Sequence, residues 1–138
     1  MTDHRLRLTS AFLALAGAGI SGYLLWVWHT GANLICATGG CETVQSSQYS
    51  EVFGVPVALL GLVCYAALLV TALLRSEDAR LLHTALALTG VVFSTYLLYV
   101  QIELIGAVCQ WCLASDAIVS GLAILALLRL KVARAAPA

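Results

Sequence analysis

Four apolar stretches, each about as long as a bilayer is thick, constrain this chain more than any other feature. They run from Leu8 to Trp28, Val55 to Leu74, Leu81 to Leu104 and Gln110 to Leu128. A hydrocarbon core of ~30 Å is crossed by roughly 20 helical residues. Each stretch fits, and none alternates as a barrel strand must. The expected fold is an all-α membrane protein, a four-transmembrane-helix bundle forming one integral-membrane domain over residues 1–138. A cysteine-bearing non-cytoplasmic loop joins the first and second helices. Composition agrees, with 62% hydrophobic and only 10% charged residues and a mean hydropathy of +0.97. A net charge of zero gives no reason to expect a nucleic-acid partner, so the lipid bilayer is the expected environment.

The first stretch opens behind Arg5 and Arg7, as a cleaved signal peptide would. Its apolar run is longer than a signal core, and Tyr23, Trp26 and Trp28 near its end suit an interfacial belt. Ala14, Ala18 and Gly22 offer a small-residue face for close packing. A retained helix is therefore expected.

Basic residues set the orientation. All seven, Arg5, Arg7, Arg75, Arg80, Arg129, Lys131 and Arg134, fall on one side of a four-helix topology. The positive-inside rule makes that side cytoplasmic, with both termini there. The opposite side holds the loop His29–Gly54 with Cys36 and Cys41, and the turn leading to Cys109 and Cys112. Four of the five cysteines thus meet a compartment where disulfides persist. Cys64, inside the second stretch, reads as a small buried apolar residue.

Cys109-Gln-Trp-Cys112 opens the fourth stretch. Free N–H groups and the dipole at a helix start favour thiolates, making the sulfurs better nucleophiles and leaving groups. Haem attachment needs a histidine after the second cysteine, and Leu113 stands there. Two other readings remain for the two pairs: a four-thiolate zinc site, or inert disulfides stapling a membrane scaffold. A redox reading uses location. An external thiol protein reaches the loop pair, the loop pair exchanges with the boundary pair, and that pair meets a lipid-soluble two-electron carrier, for which a quinone is the match. Glu103 near the end of the third stretch is a proton-shuttle candidate or a snorkelling residue. His29 and His83 fall near opposite membrane faces, which does not favour paired haem ligation.

"CATGGCETVQSSQYSEVFGVPVALLG" followed by "CQWC" resembles the vitamin K epoxide reductase family, in its short bacterial form without a fused thioredoxin-like domain. The resemblance covers about Leu8 to Leu128. It implies a four-helix bundle around a quinone, capped by the first outer loop, in a bacterial inner membrane with the cysteines on the periplasmic side. It implies that Cys109 and Cys112 are the active pair and that Cys112 faces the quinone. Cys109 would exchange with Cys41, and Cys36 would form the mixed disulfide with a periplasmic thioredoxin-like dithiol protein. Reduced Cys41 would then attack a Cys109–Cys112 disulfide, and electrons would pass to ubiquinone or menaquinone, without metal or haem.

Ser47 matches a serine important in the family, and equally suits a turn or cap in "QSSQ". Trp111, Tyr49, Leu60 and Leu97 are candidate walls for the quinone ring. Two positions depart from the family's animal members: Val57 stands where they carry a quinone-binding asparagine, and Asp116 where they carry a tyrosine. Asp116 follows Cys112 by one helical turn and shares its face. Protonated, it would donate to a quinone oxygen; otherwise it bonds a neighbouring helix. A quinone-linked thiol oxidase of unrelated four-helix type shares the task, but carries its C-x-x-C in the first outer loop and its distant pair in the second. The expected activity is thiol:quinone oxidoreduction in support of disulfide formation.

Overall fold

The computed structural model describes residues 2–33, 35–36 and 39–135. Helix α1 (Asp3–Thr30) starts five residues before the expected Leu8, with Asp3 in its first turn, where a negative charge complements the helix dipole. It stops at Gly31, which adopts the left-handed conformation and returns its N–H to the Val27 carbonyl. The buried face of α1 includes Ser10, Ala14, Gly17 and Ser21. Of the expected small-residue face, Ala14 is buried and Ala18 packs against the core, but a side chain at Gly22 would meet nothing, and the ring of Tyr65 lies directly on Gly17 instead.

Beyond α1 the chain crosses one end of the bundle. A short helix α2 (Cys41–Gln45) and a 3-10 turn (Gln48–Ser50) lead into strand β1 (Glu51–Val52), paired antiparallel with β2 (Val55–Pro56). This hairpin is a small departure from the all-α expectation. Phe53 and Gly54 at its tip are both left-handed, as a two-residue hairpin turn requires. Pairing of Val55 and Pro56 also delays helix α3, which runs from Val57 to Leu73 instead of starting at Val55. Extended Pro56 stands at its N-cap, where a missing N–H costs nothing.

Helix α4 (Glu77–Tyr99) begins four residues before the expected Leu81. Ser76 explains the shift: its hydroxyl accepts the Ala79 N–H at 3.2 Å, and Glu77 and Asp78 fill the first turn. The helix widens into a π-helical segment, Val100–Ile105, before left-handed Gly106 ends it. Helix α5 (Gln110–Ala135) runs past the expected Leu128.

Three helical spans, Asp3–Thr30, Glu77–Ile105 and Gln110–Ala135, are long and apolar enough to cross a membrane, and Val57–Leu73 is a shorter apolar helix. The chain is a membrane protein by this measure. Helix α1 packs on α3 and α5, and α4 closes the bundle against α3 and α5. Arg7 donates to the Ala72 and Leu73 carbonyls at the end of α3, and Arg129 of α5 pairs with Asp3. The basic residues therefore gather at one end of the bundle. A core around Leu68, Ala87, Leu122 and Ala126 fills the middle, and a second cluster around Leu24, Val44, Cys41 and Cys109 fills the opposite, cysteine end.

Candidate redox-active site

The site is assembled from three pieces of chain that converge at the cysteine end. The loop contributes α2 with Cys41 at its first position and Gln45 at its last. Gly40 lets this helix approach closely, because a Cβ there would lie 2.6 Å from the Val108 carbonyl oxygen. The π-helical segment contributes Gln101, only 2% exposed, whose Oε1 accepts the Cys109 N–H at 2.8 Å. Its carbonyl accepts the Ala107 N–H. The wide segment thus turns a buried amide toward the chain just before α5, in keeping with the association of such segments with functional sites. The start of α5 contributes the C-x-x-C itself.

Cys36 and Cys41 form a disulfide, while Cys109 and Cys112 are free thiols. Burial grades the sulfurs. Cys36 is partly exposed, Cys41 and Cys109 are both 0% exposed within one cluster, and Cys112 packs against that cluster while also lining a cavity. Gln45 donates from Nε2 toward both thiols, at 3.6 Å to Cys112 and 3.9 Å to Cys109. The Cys109 thiol is pushed down to about 6, chiefly by the hydrogen bond from Cys112. Burial opposes this shift, while the Cys112 and Trp111 N–H groups and Gln45 assist it. The surroundings of Cys109 thus favour its charged form.

A cavity of about 160 Å³ lies between α1, α3, α4, α5 and the loop. Among the expected residues, Ser47, Tyr49, Leu60, Leu97, Cys112 and Asp116 line it, and so does Val57. Trp111 does not line it. Its ring packs on Tyr23 with centroids 5.2 Å apart, and its Nε1–H donates to the Ile35 carbonyl at 2.6 Å. The reason is helical geometry: one residue from Cys112 is about a quarter turn away, so Trp111 faces α1 and the loop instead. It ties the segment next to Cys36 to the start of α5. Ser47 is both a turn residue and a wall, since its hydroxyl donates to the Val44 carbonyl at 2.7 Å.

Sequence reasoning missed several walls. Cys64, Tyr65, Ser94 and Ser115 all line the cavity. Tyr65 and Ser115 lie within hydrogen-bonding distance at 2.8 Å, binding α3 to α5 across its floor. Asp116 stands near Ser94, and its Oδ2 is buried with no hydrogen-bond partner among the described residues. Such an orphaned acceptor on the wall of an otherwise apolar space is where a polar group of a bound molecule would fit. Gln45 had a legible signal, four residues after Cys41 and so on its face. Gln101 had a weaker one, a lone amide in an apolar run. Glu103 is exposed, as is His29, while His83 is buried at the far end of α4. Among the described residues no group of three or more His, Cys, Asp or Glu side chains is placed to hold a metal.

The model of the vitamin K epoxide reductase family matches residues 8–127. The thiol-disulfide oxidoreductase LTO1 of Arabidopsis thaliana is 31% identical over 110 residues, covering 69% of this chain and 29% of the relative. The chain therefore spans less than a third of that relative's length.

Proposed function

Because the chain belongs to the vitamin K epoxide reductase family, we propose that it is a membrane thiol:quinone oxidoreductase that re-oxidises a thioredoxin-like dithiol protein. One observation carries the reading: the sulfurs run from a partly exposed disulfide, through two buried atoms, to a thiol on a cavity wall. We read α3 as a fourth span, since 17 residues make about 26 Å of helix and the hairpin extends it. By the positive-inside rule the basic end faces the cytoplasm and the cysteines the opposite side; the resemblance to the short bacterial form makes that side the periplasmic face of an inner membrane.

The cycle proceeds by thiol–disulfide exchange. A partner thiolate attacks Cys36, the more accessible sulfur, and Cys41 leaves. The partner's second thiol then releases Cys36 and the partner departs as a disulfide. Cys41 attacks Cys109 of an oxidised C-x-x-C, freeing Cys112, and Cys36 attacks Cys41 to restore the loop disulfide. This step leaves the loop oxidised and the C-x-x-C reduced. The quinone supplies a lipid-soluble acceptor for two electrons and two protons. Toward it, the reduced pair gives up two electrons and the Cys112 proton to the quinone, and the S–S bond between Cys109 and Cys112 forms as it does so. Asp116, in its protonated form, provides the second proton and a hydrogen bond from the position where the family's animal members carry a tyrosine. Tyr49, Leu60 and Leu97 hold the ring. Ser47 keeps α2 closed over the cavity through Val44.

Cys112→Ser is the direct test. It should lower quinone reduction on the order of a thousandfold or more and accumulate a Cys41–Cys109 disulfide, read by peptide mapping without reductant. An inert scaffold with stapled cysteines predicts no quinone reduction in the unaltered protein and no trapped species in the variant.

A further inference from the structure

The basic end of the bundle holds a charge imbalance that the redox chemistry does not use. Arg129 is 1% exposed and its only ion pair among the described residues is through Nε to Asp3 Oδ1 at 3.4 Å. Both of its Nη atoms are buried without a partner. Arg7 and Arg80 stand close enough to repel it, and Arg80 Nε is likewise buried and unpartnered. Arg7 spends two donors on the last carbonyls of α3. Ser10 Oγ and His83 Nε2 add two more buried polar atoms without partners. The other acidic residues of this end, Glu77 and Asp78, are exposed on the first turn of α4.

Three guanidinium groups thus share one carboxylate at the mouth of an apolar core. Unpaired buried charge is costly, and unused N–H donors add to that cost. A planar fork of free donors matches an oxyanion with several acceptors, above all a phosphate. Asp3, Arg7 and Arg80 are only half-buried, so the cluster is approached from their side. In a membrane the phosphates at that depth belong to lipid headgroups, and basic clusters between helix ends attract them.

We propose that Arg7, Arg80 and Arg129 form a binding site for an anionic phosphate group, supplied by a phospholipid headgroup of the adjoining leaflet. The bound phosphate supplies the missing negative charge and draws the ends of α1, α4 and α5 together. Its place is the full length of the bundle from the cysteines, so it stands independently of the redox reading.

The test compares phosphatidylcholine nanodiscs with and without phosphatidylglycerol, using native mass spectrometry to count retained lipid. The site predicts that phosphatidylglycerol is retained by the unaltered protein. Retention should weaken on the order of tenfold in Arg80→Gln and Arg129→Gln, the worth of one charge-assisted contact, and stay unchanged in Lys131→Gln on the exposed tail. Should Arg129→Gln fail to fold, Arg80→Gln carries the comparison alone. Inorganic phosphate, titrated into the detergent-solubilised protein, separates the two sources of the group. Phosphate raising the thermal midpoint of the unaltered protein but not of Arg80→Gln supports the site with free phosphate as its ligand. Equal lipid retention in the unaltered protein and Arg80→Gln, with no phosphate effect, overturns the proposal. So does equal loss in Lys131→Gln, which indicates diffuse attraction to basic residues.

Discussion

The two ends of this bundle treat polar groups in opposite ways. At the cysteine end they are neutral amides aimed at the turn that opens α5: Gln45 donates to both thiols and Gln101 accepts the Cys109 N–H. At the basic end they are ions and their neighbours, with Arg129 on Asp3, Arg7 on helix-end carbonyls and His83 Nδ1 2.9 Å from Thr71 Oγ1. A neutral amide steadies a sulfur whether it is charged or not, so bonds there can be exchanged without stranding a charge. The Arg129–Asp3 pair and the Arg7 bonds to the last carbonyls of α3 tie helix ends to one another. One end accommodates change, and the other holds the frame in which the change occurs.

That contrast is open to direct attack. The largest expected effect separates chemistry from frame. Cys109→Ser should abolish quinone reduction, a loss on the order of a thousandfold or more, while the folded fraction stays near that of the unaltered protein. Leu122→Ala, in the central core at 0% exposure, should do the reverse. It should cost about 2–3 kcal/mol of stability with turnover per folded molecule unchanged, measured by thermal unfolding beside a quinone-reduction assay. Loss of turnover in folded Leu122→Ala would dissolve the division between the two regions.

Gly40→Ala probes how the loop is seated. A methyl group would lie 2.6 Å from the Val108 oxygen, so α2 must lift from the start of α5. Transfer from the loop pair to the C-x-x-C should slow by roughly tenfold, the equivalent of about 1.4 kcal/mol of lost docking. Quinone reduction starting from a chemically reduced C-x-x-C should change far less. Rapid mixing with a dithiol donor distinguishes the two steps.

The smallest effect concerns protons. With Cys109 held down at about 6, against an ordinary thiol near 9, the thiolate persists as pH falls from 9 toward 6 and is lost below it. Electron transfer from the reduced pair should therefore decline below about pH 6, by up to about tenfold per unit. Gln45→Leu removes a minor stabilising contact from the thiolate. It should move that decline to higher pH by less than about one unit, while leaving the plateau at high pH close to that of the unaltered protein. An unmoved profile would remove Gln45 from thiolate stabilisation.

What the sequence made legible followed from features that act locally. Long apolar runs gave the helices, and the convergence of Cys36, Cys41, Cys109 and Cys112 followed from counting crossings. Boundaries were less legible because caps outrank hydropathy at helix ends: Ser76 starts α4 early, and Pro56 with the hairpin starts α3 late. The cavity walls were legible only in part. Leu60 and Leu97 are ordinary apolar residues whose facing depends on helix rotation, and the same rotation turns Trp111 away. Cys64 looked like filler because nothing in its neighbours in sequence reveals that Asp116 and Cys112 border the same space. The basic end was read from charge as an orientation signal alone, since buried pairing between residues 3 and 129 is a property of the assembled bundle.

The most direct test of thiol-to-quinone electron transfer is anaerobic turnover in membranes, with a reduced thioredoxin-like protein as donor and ubiquinone or menaquinone as acceptor. Such transfer predicts that two donor thiols disappear for each hydroquinone that appears, and that Cys112→Ser stops both. Absence of quinone reduction with either acceptor, by protein whose loop disulfide still exchanges with the donor, would contradict it.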